Sequence, residues 1–229
     1  AMFRRPMEVW IWVPISVIII CLLFTLTRQA WLGFLTGLIF LVFFWRKKFL
    51  WLLPILLLTV YIASPLPIQQ RLKDMVSGKD VTFQMRTALW KGGWNIFKDY
   101  PLTGCGFRCV DLVNSQYPDP TGHIKNIRGM HNNFIQIAVD TGILGLSTWV
   151  WVWLCFYRFL YRQINKSKSD GQENSIFFGS AAATLAFLAG GCFESNFYDS
   201  EVAMVLYFIM ALPFACRPSK LAKQEQSLK

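Results

Sequence analysis

The chain has 229 residues, 54% hydrophobic and 16% charged, with a formal net charge of +10 and a mean hydropathy of +0.38. A soluble domain usually carries about 25% charged residues, so this composition argues against a water-soluble globular protein. The apolar residues gather into long runs, which points to lipid rather than to a large aqueous core.

About six stretches are long enough to be predicted as spanning helices of an all-α integral membrane protein: 9–26, 31–45, 49–63, 143–161, 176–193 and 202–215. Trp10, Trp12, Trp31, Trp45, Trp51, Tyr61 and Tyr207 fall near their ends, where amphipathic rings suit the headgroup region. If the amino terminus is inside, more than half of the 23 Lys and Arg lie in inside segments, against only Glu8, Asp170, Glu173 and Glu225. This positive-inside asymmetry predicts that both ends of the chain are cytoplasmic. It also accounts for the basic charge without a nucleic-acid partner.

The whole of 1–229 reads as one membrane domain, with an outside loop over 64–133 that contains short helices. A loop of that length usually carries function, and its aromatic content argues against disorder. Within it, 83–98 reads as a helix on the membrane surface, with Arg86, Trp90, Gly93 and Phe97 on one face. Tyr100-Pro101 ends that helix, and Pro101-Leu102-Thr103-Gly104-Cys105-Gly106 reads as a tight turn. A helix resumes at Asn132 with Asn133, Gln136 and Asp140 as a polar stripe, and Thr141-Gly142 breaks it before the next span. Further on, 163–174 reads as an inside loop and 194–200 as a short polar turn outside.

Three residues carry the candidate chemistry. Arg28 stands alone at the outer mouth of the first hairpin, where arginine near hydrocarbon is costly. It either snorkels to headgroups or serves a site. Arg86 lies beside Trp90 and Phe97, either as a solvated charge or as the wall of a pocket; a guanidinium presents a rigid fork of donors to phosphate oxygens. His131 opens the returning helix, where it either caps that helix or accepts a proton near neutral pH.

Cys105 and Cys109 can pair if their compartment is oxidising. Cys21, Cys155, Cys192 and Cys216 read as small hydrophobes. A zinc set of Cys105, Cys109, His123 and His131 has histidines too widely spaced for the usual pattern. No acidic pair is present to hold another metal, and no nucleotide or hydrolase fingerprint appears.

In order along the chain, four motifs together resemble the O-antigen ligase superfamily of membrane glycan ligases and polymerases, in its carboxyl-terminal portion. They are Thr25-Leu26-Thr27-Arg28-Gln29-Ala30-Trp31-Leu32-Gly33; Arg86 through Trp94; Asp99-Tyr100-Pro101-Leu102-Thr103-Gly104-Cys105-Gly106; and His131-Asn132-Asn133-Phe134-Ile135-Gln136, running into Asp140-Thr141-Gly142-Ile143-Leu144-Gly145. Thr27 replaces the serine that usually precedes the first arginine. Family members have roughly twice as many helices, so the resemblance leads one to expect a piece of a longer protein.

The resemblance implies a GT-C-like glycosyltransferase in the bacterial inner membrane, with its loop periplasmic, working without metal or other cofactor. It implies an undecaprenyl-diphosphate-linked glycan as donor and a lipid A–core or other hydroxyl as acceptor. Arg28 and Arg86 would then bind the diphosphate, and His131 would activate or position the acceptor. Trp90 and Asn132 join the arginines as substrate-binding candidates. Polymerisation of O-antigen or exopolysaccharide units and glycosylation of proteins are alternatives on the same scaffold. A solute transporter would need ionisable residues inside the spans, and almost none are present; a noncatalytic subunit would tolerate changes at Arg86 and His131.

Overall fold

Glycine and alanine decide how the helices meet. In a computed structural model that describes residues 12–25, 27–63, 69–70, 73, 77, 80–121, 129–166 and 172–215, the regular elements are helices joined by turns, with no strand among the described residues. The main helices are α1 (Trp12–Phe24), α2 (Arg28–Arg46), α3 (Leu52–Ala63), α4 (Val81–Asp99), α5 (Asn133–Lys166), α6 (Gln172–Gly190) and α7 (Ser200–Ala215). A 3-10 turn, Lys47–Trp51, joins α2 to α3.

These elements follow the expected runs closely, with Arg28 as the first residue of α2 rather than part of the connection before it. Most of 64–79, the stretch 122–128 with His123, and residues 167–171 of the expected 163–174 loop lie outside the described residues. The segment Asn133–Asn165 is long and apolar enough to cross a membrane, while Trp12–Leu22, Asn174–Gly190 and Ser200–Ala215 are shorter apolar helices. Large apolar side chains such as Ile18, Phe43, Leu154 and Phe208 point outward and are exposed. In water such a surface would be a liability; against lipid it is the expected finish.

The closest helix pair is α2 on α6. Gly33 and Gly37 on α2 are buried, and a Cβ on Gly33 would stand 2.6 Å from the Ala186 carbonyl oxygen. At Gly37 the nearest atom is the Ala182 carbonyl oxygen, 3.0 Å away. Small residues four apart let two backbones approach in a membrane, where packing rather than the hydrophobic effect drives association. A second core joins α5, α6 and α7 through Trp153, Phe156, Leu160, Phe177, Ala181 and Leu206.

The turn after α4 docks onto a break in α5. Gly142 has φ 67° and ψ −167°, so the helical ladder is interrupted there. Its freed groups find partners in the turn: Ile143 N–H donates to the Pro101 carbonyl at 2.8 Å, and Leu144 N–H to that of Leu102 at 3.3 Å. In the other direction, Cys105 N–H donates to Val139 at 2.9 Å and Gly106 N–H to Asp140 at 3.1 Å. A buried backbone group left without such a partner would be costly. Gly104, at φ 70°, and Gly142 face each other so closely that a Cβ on either would meet backbone within 2.4 Å. Cys105 and Cys109 form a disulfide with Cα atoms 5.7 Å apart, and Cys109 and Val110 are buried with Ile96, Met130 and Val139.

Gly33→Ala is expected to force α2 and α6 apart. Overpacking of this kind costs about 1–3 kcal/mol, offset by ~0.5–1 kcal/mol of helix propensity. Gly179 has nothing within 4 Å of a built Cβ, so Gly179→Ala should hold or raise the thermal midpoint in detergent while Gly33→Ala lowers it. Equal midpoints for the two variants would show that the α2–α6 contact yields without strain.

Candidate active site

The packing of α2 on α6 brings the amino-terminal end of one beside the carboxyl-terminal end of the other. Gly190 lies 3.3 Å, measured from its built Cβ, from the Gln29 carbonyl oxygen. Just past that point the chain turns through Gly191, Cys192 and Phe193 to Glu194. Gln29 Nε2 donates to Glu194 Oε2 at 3.1 Å.

Glu194 is the centre of the site. Its Oε1 lies 2.8 Å from His131 Nδ1, and its Oε2 lies 4.0 Å from Arg86 Nη2. Three elements remote in sequence thus place side chains on one carboxylate. Phe193 lies beneath the Arg86 guanidinium, with its ring centre 6.0 Å away, a distance at which a cation is attracted to the ring face. Burial covers most of Arg86, whose side chain is 16% exposed, while His131 is 50% exposed and open to an incoming group.

The backbone around His131 is fixed from several sides. His131 has φ 45°, a left-handed conformation uncommon for a residue with a side chain. Immediately before it, Met130 N–H donates to Gln136 Oε1 at 2.9 Å, and the Met130 carbonyl accepts from Trp90 Nε1 at 2.9 Å. Immediately after it, Asn132 N–H donates to Ser195 Oγ at 3.3 Å and Asn132 Nδ2 to the Cys192 carbonyl at 2.8 Å. Asn132 Oδ1 accepts the Ile135 N–H at 3.1 Å, which is the bond an N-cap residue makes. Asn133, fully buried, ties the same two segments: Nδ2 donates to Asn196 Oδ1 at 2.6 Å, and Oδ1 accepts from Phe197 N–H at 3.1 Å.

Of the sequence-predicted residues, the structure brings Arg86 and His131 together on Glu194. Arg28 stands apart from that carboxylate, although its neighbour Gln29 reaches it. Arg28 Nη1 pairs with Asp80, the N-cap of α4, whose other oxygen accepts from Thr82 N–H at 3.0 Å. Trp90 packs against Phe193, with ring centres 6.0 Å apart, and so forms part of the wall. Asn132 turns its side chain to backbone groups and acts as a brace. The expected polar stripe of Asn133, Gln136 and Asp140 faces inward and is buried. Of the zinc candidates, Cys105 and Cys109 are joined to each other, and His123 lies outside the described residues.

Glu194, the carboxylate these side chains share, is the residue that sequence reasoning passed over, reading 194–200 as a plain polar turn. It lies 63 residues from His131 in the chain, and no local pattern marks it.

The charges reinforce one another. The Glu194 hydrogen bond, helped by its charge, raises the His131 pKa above its ordinary 6.5 despite burial and the nearby Arg86. The His131 bond in turn lowers Glu194 below its ordinary 4.5, against the opposing effect of burial. Burial also works against the Asp80 carboxylate, yet the bond and charge of Arg28 outweigh it and lower its pKa.

His131, raised in the folded state, contributes stability in full below its ordinary pKa and loses it as pH rises through the raised value. Glu194, lowered, contributes above its ordinary pKa and loses it as pH falls through the lowered value. The pair therefore stabilises most between about pH 4.5 and 6.5. In a thermal-shift series across pH, Glu194→Gln should melt below wild type in that window, with the gap narrowing on both sides. A gap independent of pH would mean that Glu194 acts through shape alone.

A family model described as O-antigen ligase matches residues 13–150, more than half of the chain. That stretch includes Arg28, Arg86, Trp90, His131 and Asn132 and stops short of Glu194. Among curated proteins, the exopolysaccharide production protein ExoQ of Rhizobium meliloti (strain 1021) is 30% identical over 111 residues, which are 46% of this chain and 25% of that protein. The chain thus matches about a quarter of that relative's length. Because the family model spans all four motifs and more than half of the chain, the chain belongs to the O-antigen ligase family.

Proposed function

We propose that this chain is the carboxyl-terminal portion of a membrane glycosyltransferase that moves a glycan from undecaprenyl diphosphate to an acceptor hydroxyl, without a metal. The acceptor in this reading is a lipid A–core sugar. The setting is the periplasmic face of the bacterial inner membrane, with about six spans of a GT-C-like fold, both ends of this chain cytoplasmic and the loop 64–133 periplasmic. The observation that supports it best is the meeting of His131 and Arg86 on the Glu194 carboxylate.

The chemistry follows from the contacts. With Nδ1 bonded to Glu194, His131 keeps Nε2 for the acceptor, and the carboxylate stabilises the imidazolium that forms; orienting a base through its second nitrogen is the logic of hydrolase triads. The acceptor oxygen attacks the anomeric carbon, its proton passes to Nε2, and the bond to the diphosphate oxygen breaks with its electron pair. Attack opposite the leaving group inverts the configuration. Arg86 and Arg28 take the charge that develops on the diphosphate, the role in which a guanidinium fork is most effective. Trp90 forms the wall behind Arg86, and Asn132 holds the histidine loop.

The printed name of the Rhizobium relative favours a second reading, polymerisation of an exopolysaccharide. The same residues would serve, and the acceptor would be a sugar hydroxyl on a second lipid-linked glycan.

In cells lacking their own ligase, the full-length gene should restore a lipopolysaccharide ladder. His131→Ala and Arg86→Ala should each reduce it at least a hundredfold at equal membrane abundance, in the range lost with a general base or an oxyanion donor (about 10²–10⁴). Arg86→Lys should recover only part, because a point charge replaces a fork. A ladder that survives His131→Ala would remove the histidine from the chemistry.

The pH dependence separates orientation from base strength. Transfer should rise with pH through the raised His131 pKa, and Glu194→Gln should move that acid limb to lower pH while lowering the plateau. A limb unmoved by Glu194→Gln would show that His131 titration does not control the rate.

A further inference from the structure

We infer that the cleft between α4 and segment 117–121 is a binding site for a glycan chain, a pyranose subsite one helical turn from Arg86. The inference rests on the glycosyltransferase reading and assigns a place to the sugars, which the arginine and histidine contacts leave open. The cleft has a volume of about 610 Å³ and is lined by Trp90, Lys91, Trp94, Asn95, Tyr117 and Asp119 among others, within the usual range of small-molecule sites (about 300–1,000 Å³).

Its chemistry is that of carbohydrate recognition. A pyranose presents flat patches of C–H bonds and a rim of hydroxyls, so it needs aromatic faces beside short polar groups. Trp94 is 59% exposed, and Phe97 stacks on one side of it at 5.6 Å with the rings 24° from parallel. Trp94 lines the cleft with much of its indole uncovered. The Tyr117 hydroxyl donates to Asp99 Oδ2 at 2.5 Å and its ring packs against the core around Ile96 and Val110, which fixes it as a rigid part of the cleft lining. Asn95 is exposed and its amide makes no hydrogen bond to another described residue. Asp119 holds Thr121 through its backbone N–H at 3.0 Å and its hydroxyl at 2.7 Å, shaping the polar rim.

Two observations favour sugar over a lipid headgroup. The cleft lining carries both a cation, Lys91, and an anion, Asp119, whereas a site for anionic headgroups gathers cations. The cleft also adjoins the candidate active site through Trp90, which lines it and packs on Phe193 next to Glu194. A glycan seated on Trp94 therefore leads toward Arg86 and His131.

The test is calorimetric titration of the full-length protein in detergent with repeat-unit oligosaccharides released by mild acid from the producing cells' own surface polysaccharide. Wild type and His131→Ala should bind alike. Trp94→Ala should bind at least tenfold more weakly, Asn95→Ala severalfold more weakly, and Trp94→Phe close to wild type. Asn95 is exposed and makes no hydrogen bond to another described residue, so its variant reports on binding without a folding defect. No binding by wild type would overturn the inference, as would wild-type affinity in both Trp94→Ala and Asn95→Ala. So would a Trp94→Ala variant that keeps the oligosaccharide and loses affinity for vesicles of anionic phospholipid. Loss of activity is scored separately: transfer that survives His131→Ala would defeat the catalytic reading while oligosaccharide binding still judges the cleft.

Discussion

The close approach of α2 and α6 is the constraint on which the candidate site depends. Gly33 and Gly37 allow the α2 backbone to lie against Ala182 and Ala186, and that contact sets where both helices end. One end supplies Arg28 and Gln29; the other leads within four residues of Gly190 to Glu194. A wider separation of the pair would carry Gln29 out of reach of Glu194 and loosen the carboxylate that Arg86 and His131 share. The stripe of small residues is thus coupled to the polar cluster through geometry, although neither glycine touches it.

A second brace acts from the opposite side. The break at Gly142 leaves backbone groups of α5 unpaired, and the 101–106 turn supplies their partners. This fastens the carboxyl-terminal end of α4 to α5 a few turns below His131. Gly93, whose Cβ would lie 2.5 Å from Met130 Sδ, lets α4 press close to the same histidine loop. Arg86 and His131 are therefore held in register by backbone bonds and close packing along the whole contact between α4 and α5. The loop histidine can occupy a left-handed conformation because four hydrogen bonds from its two neighbours fix the chain around it.

Local features of this arrangement were legible in the sequence, and long-range ones were not. The apolar runs predicted the helices to within a few residues, because length and composition report directly on what a segment can bury. The α4 helix appears at Val81–Asp99 where its aromatic periodicity put it at 83–98. The proline stop and the glycine break also appear where steric rules place them. The pairing of Cys105 with Cys109 was an open question, since spacing alone does not fix side-chain direction. Glu194 was invisible for a different reason: a lone glutamate in a polar turn looks solvated until the fold brings Gln29, Arg86 and His131 to it. The Gly33 and Gly37 spacing was a readable signal for helix contact, but it names no partner helix.

Each candidate arginine faces a carboxylate, Arg28 on Asp80 and Arg86 on Glu194. On the proposed reading this has a mechanistic consequence. A guanidinium near a membrane without counter-charge would be costly, most of all the largely covered Arg86, so the carboxylates hold the two arginines until a diphosphate binds. The Arg86 contact, at 4.0 Å, is long for a hydrogen bond and is the weaker of the two contacts Glu194 makes with charged groups. A diphosphate carries more negative charge than a single carboxylate and can accept from the full guanidinium fork. Arg86 then turns to the donor while Glu194 keeps His131, at 2.8 Å. Removing the arginine from Glu194 leaves that carboxylate freer to hold the imidazolium, so donor binding would strengthen the base at the moment it is needed. The same exchange at Asp80 would release Arg28 from the N-cap of α4, so the two arginines would respond to one ligand through two elements of the fold.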